Sequence, residues 1–205
     1  MAALIHGGNM QSASGPSQSP SALPSAGAAA AFQREMRYAY LGGGLGMLVS
    51  GSVWLVAALV ALWDSPQRAI WTLFGGGVLI HPVAVVLTRA LGRPARHGAA
   101  NPFGALAMAS TIWMILMLAL AYGVAQLRMD LFFPAMLFVI GGRYLIFATI
   151  YGARIYYACG AALALAGYLL AANRAAPALG GFLGAAIEGL FAAIILAGAR
   201  KDSRA

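Results

Sequence analysis

Residues 103–125 read FGALAMASTIWMILMLALAYGVA, a run of 23 residues without one charged side chain. A hydrocarbon core about 30 Å thick takes roughly 20 helical residues to cross at about 1.5 Å of rise each. This run is long enough. Asn101-Pro102 just ahead of it supplies a side chain that can cap a helix and a proline that suits its first turn.

The same pattern recurs on both sides. Upstream lie 40–63, which opens on Gly42-Gly-Gly-Leu-Gly46, and 68–91, which holds Gly75-Gly-Gly77 and His81-Pro82. Downstream lie 131–151 with Arg143, 155–172, and 179–199 with Glu188. The connections are short, the longest being Gly92–Pro102, so no soluble domain fits between spans. The expected fold is all-α: a six-transmembrane-helix bundle over residues 38–200. Residues 1–37 are expected to form a disordered Ser/Ala/Pro/Gly-rich tail with a short polar lead-in, and 201–205 a short tail. The N-terminal segment lacks the basic start and continuous apolar stretch of a signal peptide.

Composition agrees. Of 205 residues, 61% are hydrophobic and 9% charged, and the mean hydropathy is +0.80. A soluble domain carries roughly 25% charged residues. Thirteen bases and five acids cannot cover the surface of a water-soluble globule this size, so the bilayer is the expected surrounding.

The net charge of +8 comes from bases scattered singly between apolar runs, with no basic stripe interleaved with aromatics. Nucleic acid is therefore not an expected partner. The bases orient the chain instead. Arg34, Arg37, Arg89, Arg93, Arg96, Arg154, Arg200, Lys201 and Arg204 fall on one side, against Arg68, Arg128 and Arg174 on the other. By the positive-inside tendency both termini are expected on the cytoplasmic side of a cell (inner) membrane. Cys159 is the single cysteine, which excludes an intrachain disulfide and a Cys-based metal site. No metal or cofactor is expected.

Two charged side chains, Arg143 and Glu188, fall inside spans, and His81 joins them as a third ionisable group. A charge at the bilayer centre costs about 2.5–3.5 kcal/mol on insertion scales, so such groups pair or face a wet cavity. All three lie on spans running in the same direction, 13, 12 and 9 residues from their starts. That puts them within about one helical turn in depth. Gly141-Gly142 beside Arg143, and Gly184 and Gly189 beside Glu188, leave room for neighbouring helices. An Arg143–Glu188 pair with His81 in the same layer is the sharp expectation. Pro82 frees a backbone carbonyl next to His81. Tyr144 is a weaker binding candidate, expected chiefly to pack. The plain alternatives are a structural Arg143–Glu188 clamp and a packing His81.

Catalytic signatures are missing: there is no His-Glu-x-x-His, Gly-x-Ser-x-Gly or Gly-Lys-Ser/Thr. Only one of the five acids lies at membrane depth, so paired-carboxylate chemistry has no second member. An enzyme is not expected. An intramembrane lipid-directed activity would have to rest on His97 and Asn101 in the Gly92–Pro102 loop.

The motifs Leu91-Gly-Arg93, Asn101-Pro-Phe-Gly104, Phe133-Pro134 and Tyr144 … Tyr151-Gly-Ala-Arg-Ile-Tyr156 carry a resemblance. Over residues 40–170 the chain resembles an uncharacterised family of small multi-spanning bacterial integral-membrane proteins, a domain of unknown function. That resemblance implies a fold and no activity, substrate or site residue. From the residues themselves, two functions are expected. One is a small permease or channel-like protein whose Arg143, Glu188 and His81 bind a polar solute, ion or proton. The other is a non-catalytic scaffold or assembly partner locked by an Arg143–Glu188 ion pair.

Overall fold

The computed structural model of the chain describes residues 26–202, and its regular structure there is helical. In chain order the helices are α1 (Ala26–Tyr40), α2 (Gly44–Trp63), α3 (Pro66–Ala90), α4 (Pro102–Leu127), α5 (Phe132–Tyr151), α6 (Ile155–Ala172) and α7 (Pro177–Asp202). Six helical stretches are long and apolar enough to cross a membrane, the first of them running from α1 into α2. The all-helical, six-span reading of the sequence holds. Expected tail residues 1–25 and 203–205 lie outside the described residues.

The boundary at residue 37 needs correction. Residues 26–37 are helical, because the Ala28–Ala31 run favours helix and Met36 and Ala39 are buried against the bundle. The apolar helix α2 begins at Gly44, after the expected start at Tyr40. Between α1 and α2 a short 3-10 turn places Leu41, Gly42 and Gly43 at φ of 51°, 63° and 83°. This left-handed conformation suits glycine. A Cβ on Gly43 would also stand 2.6 Å from Tyr156 Oη and 2.9 Å from Tyr151 Cε2. The turn therefore fixes where α1 leaves the line of α2.

Packing runs laterally as α3, α2, α7, α6, α5, α4, with α5 also reaching α7. The helices at the two ends of this series, α3 and α4, face each other across a seam. Rings bridge the seam at one end: Trp71–Tyr122 at 5.6 Å and Phe74–Tyr122 at 6.1 Å between centroids. Elsewhere close backbone approach holds the bundle, as expected where lipid removes any hydrophobic drive between helices. The Gly180-xxx-Gly184 face is used internally, with a Cβ on Gly180 2.6 Å from Phe133 Cβ and one on Gly184 2.6 Å from Trp54 Cε3. Gly141 does the same towards the Gly160 carbonyl at 2.8 Å. Trp54, Phe132, Phe133 and Leu137 are buried in the resulting core, while Val78, Leu116, Leu120 and Leu127 point outward.

Candidate functional site

Away from the bridging rings, the seam opens into a cavity of about 410 Å³. Its walls come from five helices: Met36 and Tyr40 of α1, Gly46 and Met47 of α2, His81 and Thr88 of α3, Thr111 of α4, and Arg143, Tyr144, Phe147 and Tyr151 of α5. Three of the residues singled out in the sequence, His81, Arg143 and Tyr144, thus share one cavity. Pro82 lies within α3, which continues through it, and His81 is exposed towards the seam.

Glu188 is not among the lining residues. It is fully buried on α7, behind Tyr144, and the expected ion pair is not formed. Among the described residues the ion pairs are Arg68–Asp64 and Arg128–Asp130, both short-range and at the other end of the bundle. Arg143 instead donates to Met114 Sδ at 3.0 Å and Thr111 Oγ1 at 3.2 Å, and its guanidinium carbon lies 5.0 Å from the Phe147 ring centroid. Its Nε has no protein partner. A thioether, a hydroxyl and a π face are all neutral groups. The cation is held but not neutralised.

Glu188 accepts a hydrogen bond of 2.7 Å from the Tyr144 hydroxyl, while its Oε2 has no partner. Gly51 makes room for it on α2, where an added Cβ would be 3.4 Å from Glu188 Cβ. The Tyr144 ring therefore stands between the buried carboxyl and the cavity, with its hydroxyl committed to the carboxyl. Tyr144, expected chiefly as packing, is the element that links Glu188 to the site.

The loop 91–101 is strapped to α1 and reaches the cavity through His97. His97 lines the cavity and its Nδ1 lies 2.9 Å from Tyr40 Oη. Ala95 donates to the Ala39 carbonyl at 3.1 Å. Asn101 caps α4 through the Phe103 amide at 3.0 Å and donates to Glu35 Oε2 at 2.8 Å and the Phe32 carbonyl at 3.2 Å. Asn101 thus ties the loop to both α1 and α4.

Glu35, on the polar helix α1 ahead of the apolar helix α2, also accepts from the Gly98 amide at 2.6 Å. That bond first, and the Asn101 amide second, hold its carboxyl below the usual carboxylate range. A lowered carboxyl contributes stability above its ordinary pKa and loses it as pH falls through the lowered one. Glu35→Gln is expected to speed amide hydrogen exchange at Gly98 while leaving exchange within α5 unchanged. An unaltered loop in that variant would contradict the strap.

A family model matches residues 29–198, and its description is Family of unknown function (DUF7010). The chain belongs to that family. The match to the DUF7010 family begins within α1 and ends within α7, so it covers the strap, the seam and every lining residue named above. No curated protein and no solved structure matches the chain. The family therefore brings no activity with it, and the site must be read from its own chemistry. Among the described residues no three of His, Cys, Asp and Glu gather to hold a metal ion.

Thr88, Thr111, Met114 and Phe147 were not singled out in the sequence. A signal for some of them existed. Phe147 lies four residues after Arg143, and Thr111 and Met114 lie three apart, spacings that share one helix face.

Proposed function

We infer that this chain is a small permease- or channel-like membrane protein that takes a polar solute or ion into the seam cavity, with Arg143 as the principal binding group. One observation carries the reading: a guanidinium inside the bundle lines a cavity and is contacted by neutral groups alone. Ionisable groups at membrane depth ordinarily pair or serve a pathway. With no carboxylate on Arg143, the complementary partner is an anion or a solute bearing a carboxylate or similar acceptor. Thr111 and His81 supply further polar atoms around it. Glu188 positions Tyr144 and does not itself face the solute. The nine-to-three distribution of bases in the sequence supports both termini on the cytoplasmic side of a bacterial inner membrane.

The scaffold reading rested on an ion pair between Arg143 and Glu188, and the contacts of both residues favour the binding reading instead. The test is uptake into proteoliposomes holding the full chain, with chloride, nitrate, acetate, lactate and phosphate supplied in turn. At least one anion is expected to enter, and Arg143→Met is expected to abolish that entry while Arg128→Met, at the exposed Arg128–Asp130 pair, leaves it intact. Entry of none of the five, or equal entry through the Arg143→Met protein, would overturn the reading.

A further inference from the structure

We propose that a second cavity, at the end of the bundle carrying α1, binds the phosphate of an anionic amphiphile. The cavity measures about 710 Å³ and is lined by Arg34, Arg37 and Arg93 together with the apolar Leu41, Ile155 and Ile194. Tyr151 lines both this cavity and the seam cavity, so the two lie on opposite sides of one residue.

Arg34 and Arg37 sit one turn apart on α1, while Arg93 arrives from the loop with its guanidinium carbon 4.4 Å above the Tyr38 ring centroid. Arg37 donates to the Tyr151 carbonyl, which fixes its position before any ligand arrives. Among the described residues no carboxylate pairs with these three cations. Glu35 lies between two of them in sequence, but its two oxygens are engaged by Gly98 and Asn101. The ion pairs among the described residues, Arg68–Asp64 and Arg128–Asp130, are at the opposite end.

The positive-inside tendency explains why arginines lie at this end. It does not explain why three converge on one concavity, where like charges repel. A phosphate relieves that repulsion, and guanidinium groups match its oxygens in bidentate geometry. The apolar lining of the cavity completes the argument. Leu41, Ile155 and Ile194 offer acyl chain contact at a helix end, the level at which basic interhelical pockets meet lipid head groups. A free phosphate carries the same charge chemistry but makes no use of that apolar lining.

The test is a thermal-unfolding titration of the purified full chain in uncharged detergent. Phosphatidylglycerol, phosphatidylcholine and inorganic phosphate are the three probes. Phosphatidylglycerol is expected to raise the unfolding midpoint and phosphatidylcholine to leave it in place. The Arg34→Gln/Arg93→Gln protein keeps the Arg37 tie to Tyr151, so its own midpoint is expected to stay near the native one. Its half-saturating phosphatidylglycerol concentration is expected to rise on the order of thirtyfold, from the loss of two arginine contacts. If inorganic phosphate alone gives the same shift and the variant loses it, the phosphate site stands and its source is the free anion. An undiminished phosphatidylglycerol response in the variant, or an equal response to phosphatidylcholine, overturns the proposal.

Discussion

Replacing Arg143 by methionine is expected to raise the thermal unfolding midpoint of the protein while removing its anion-dependent behaviour. The two effects have one cause. A guanidinium at membrane depth costs about 2.5–3.5 kcal/mol on insertion scales. Its compensation here is partial: a hydrogen bond to Thr111 is worth about 1 kcal/mol, and the Phe147 face adds roughly 0.5–2 kcal/mol. Met114 sulfur is a weak acceptor. Methionine is flexible enough to fill the same space beside Met114 and Phe147 without any charge to solvate. A net gain of about 1 kcal/mol corresponds to a rise of roughly 2–4 °C for a chain of this length. Scanning fluorimetry at a single scan rate measures it. A structural arginine behaves in the opposite way, because removing a clamp lowers the midpoint. A fall by several degrees would return Arg143 to a structural role and take the main support from the binding reading.

Depth was legible in the sequence and direction was not. Span lengths followed from unbroken apolar runs, and five of the six expected spans end within three residues of the helices observed; the sixth starts four residues late, after Gly43. That late start traces to one feature. The expected span opens on Gly42-Gly-Gly-Leu-Gly46, whereas Gly42 and Gly43 adopt positive φ and turn the chain. Counting residues along a span likewise gives a height, and His81 and Arg143 do share a cavity at similar heights. It gives no azimuth. One residue along an α-helix rotates the side chain by about 100°. That step separates Arg143, which turns to Thr111 and Met114 on α4, from Tyr144, which turns to Glu188 on α7. The pair expected at Arg143 was formed one position later by Tyr144. The seam itself had no sequence signal, since α3 and α4 are consecutive in the chain and adjacency would have been the ordinary outcome.

The Tyr144–Glu188 contact is expected to behave as a coupled unit in which each single substitution harms more than the pair of them. Tyr144→Phe removes the hydrogen bond that Glu188 Oε1 accepts and leaves the fully buried carboxyl under-satisfied, with the Ser50 hydroxyl of α2 as its remaining donor in reach. Leaving such a group unsatisfied costs about 1–3 kcal/mol. Glu188→Leu strands the Tyr144 hydroxyl in the same interior and belongs in the same range. Glu188→Gln is milder, because its amide oxygen still accepts from Tyr144. Combining Tyr144→Phe with Glu188→Leu removes donor and acceptor together and leaves two apolar side chains of similar shape facing each other. Its unfolding midpoint is expected to return most of the way to the native value, giving a coupling energy of about 1–3 kcal/mol in the double-mutant cycle. Simple additivity would refute the coupling. Uptake then separates positioning from participation. Arg143 is untouched in the doubly substituted protein, so anion entry survives if Glu188 acts only by holding Tyr144 in the cavity wall. Entry lost despite restored stability would instead make the Glu188 carboxyl a working part of the site, reached from the cavity through the Tyr144 hydroxyl.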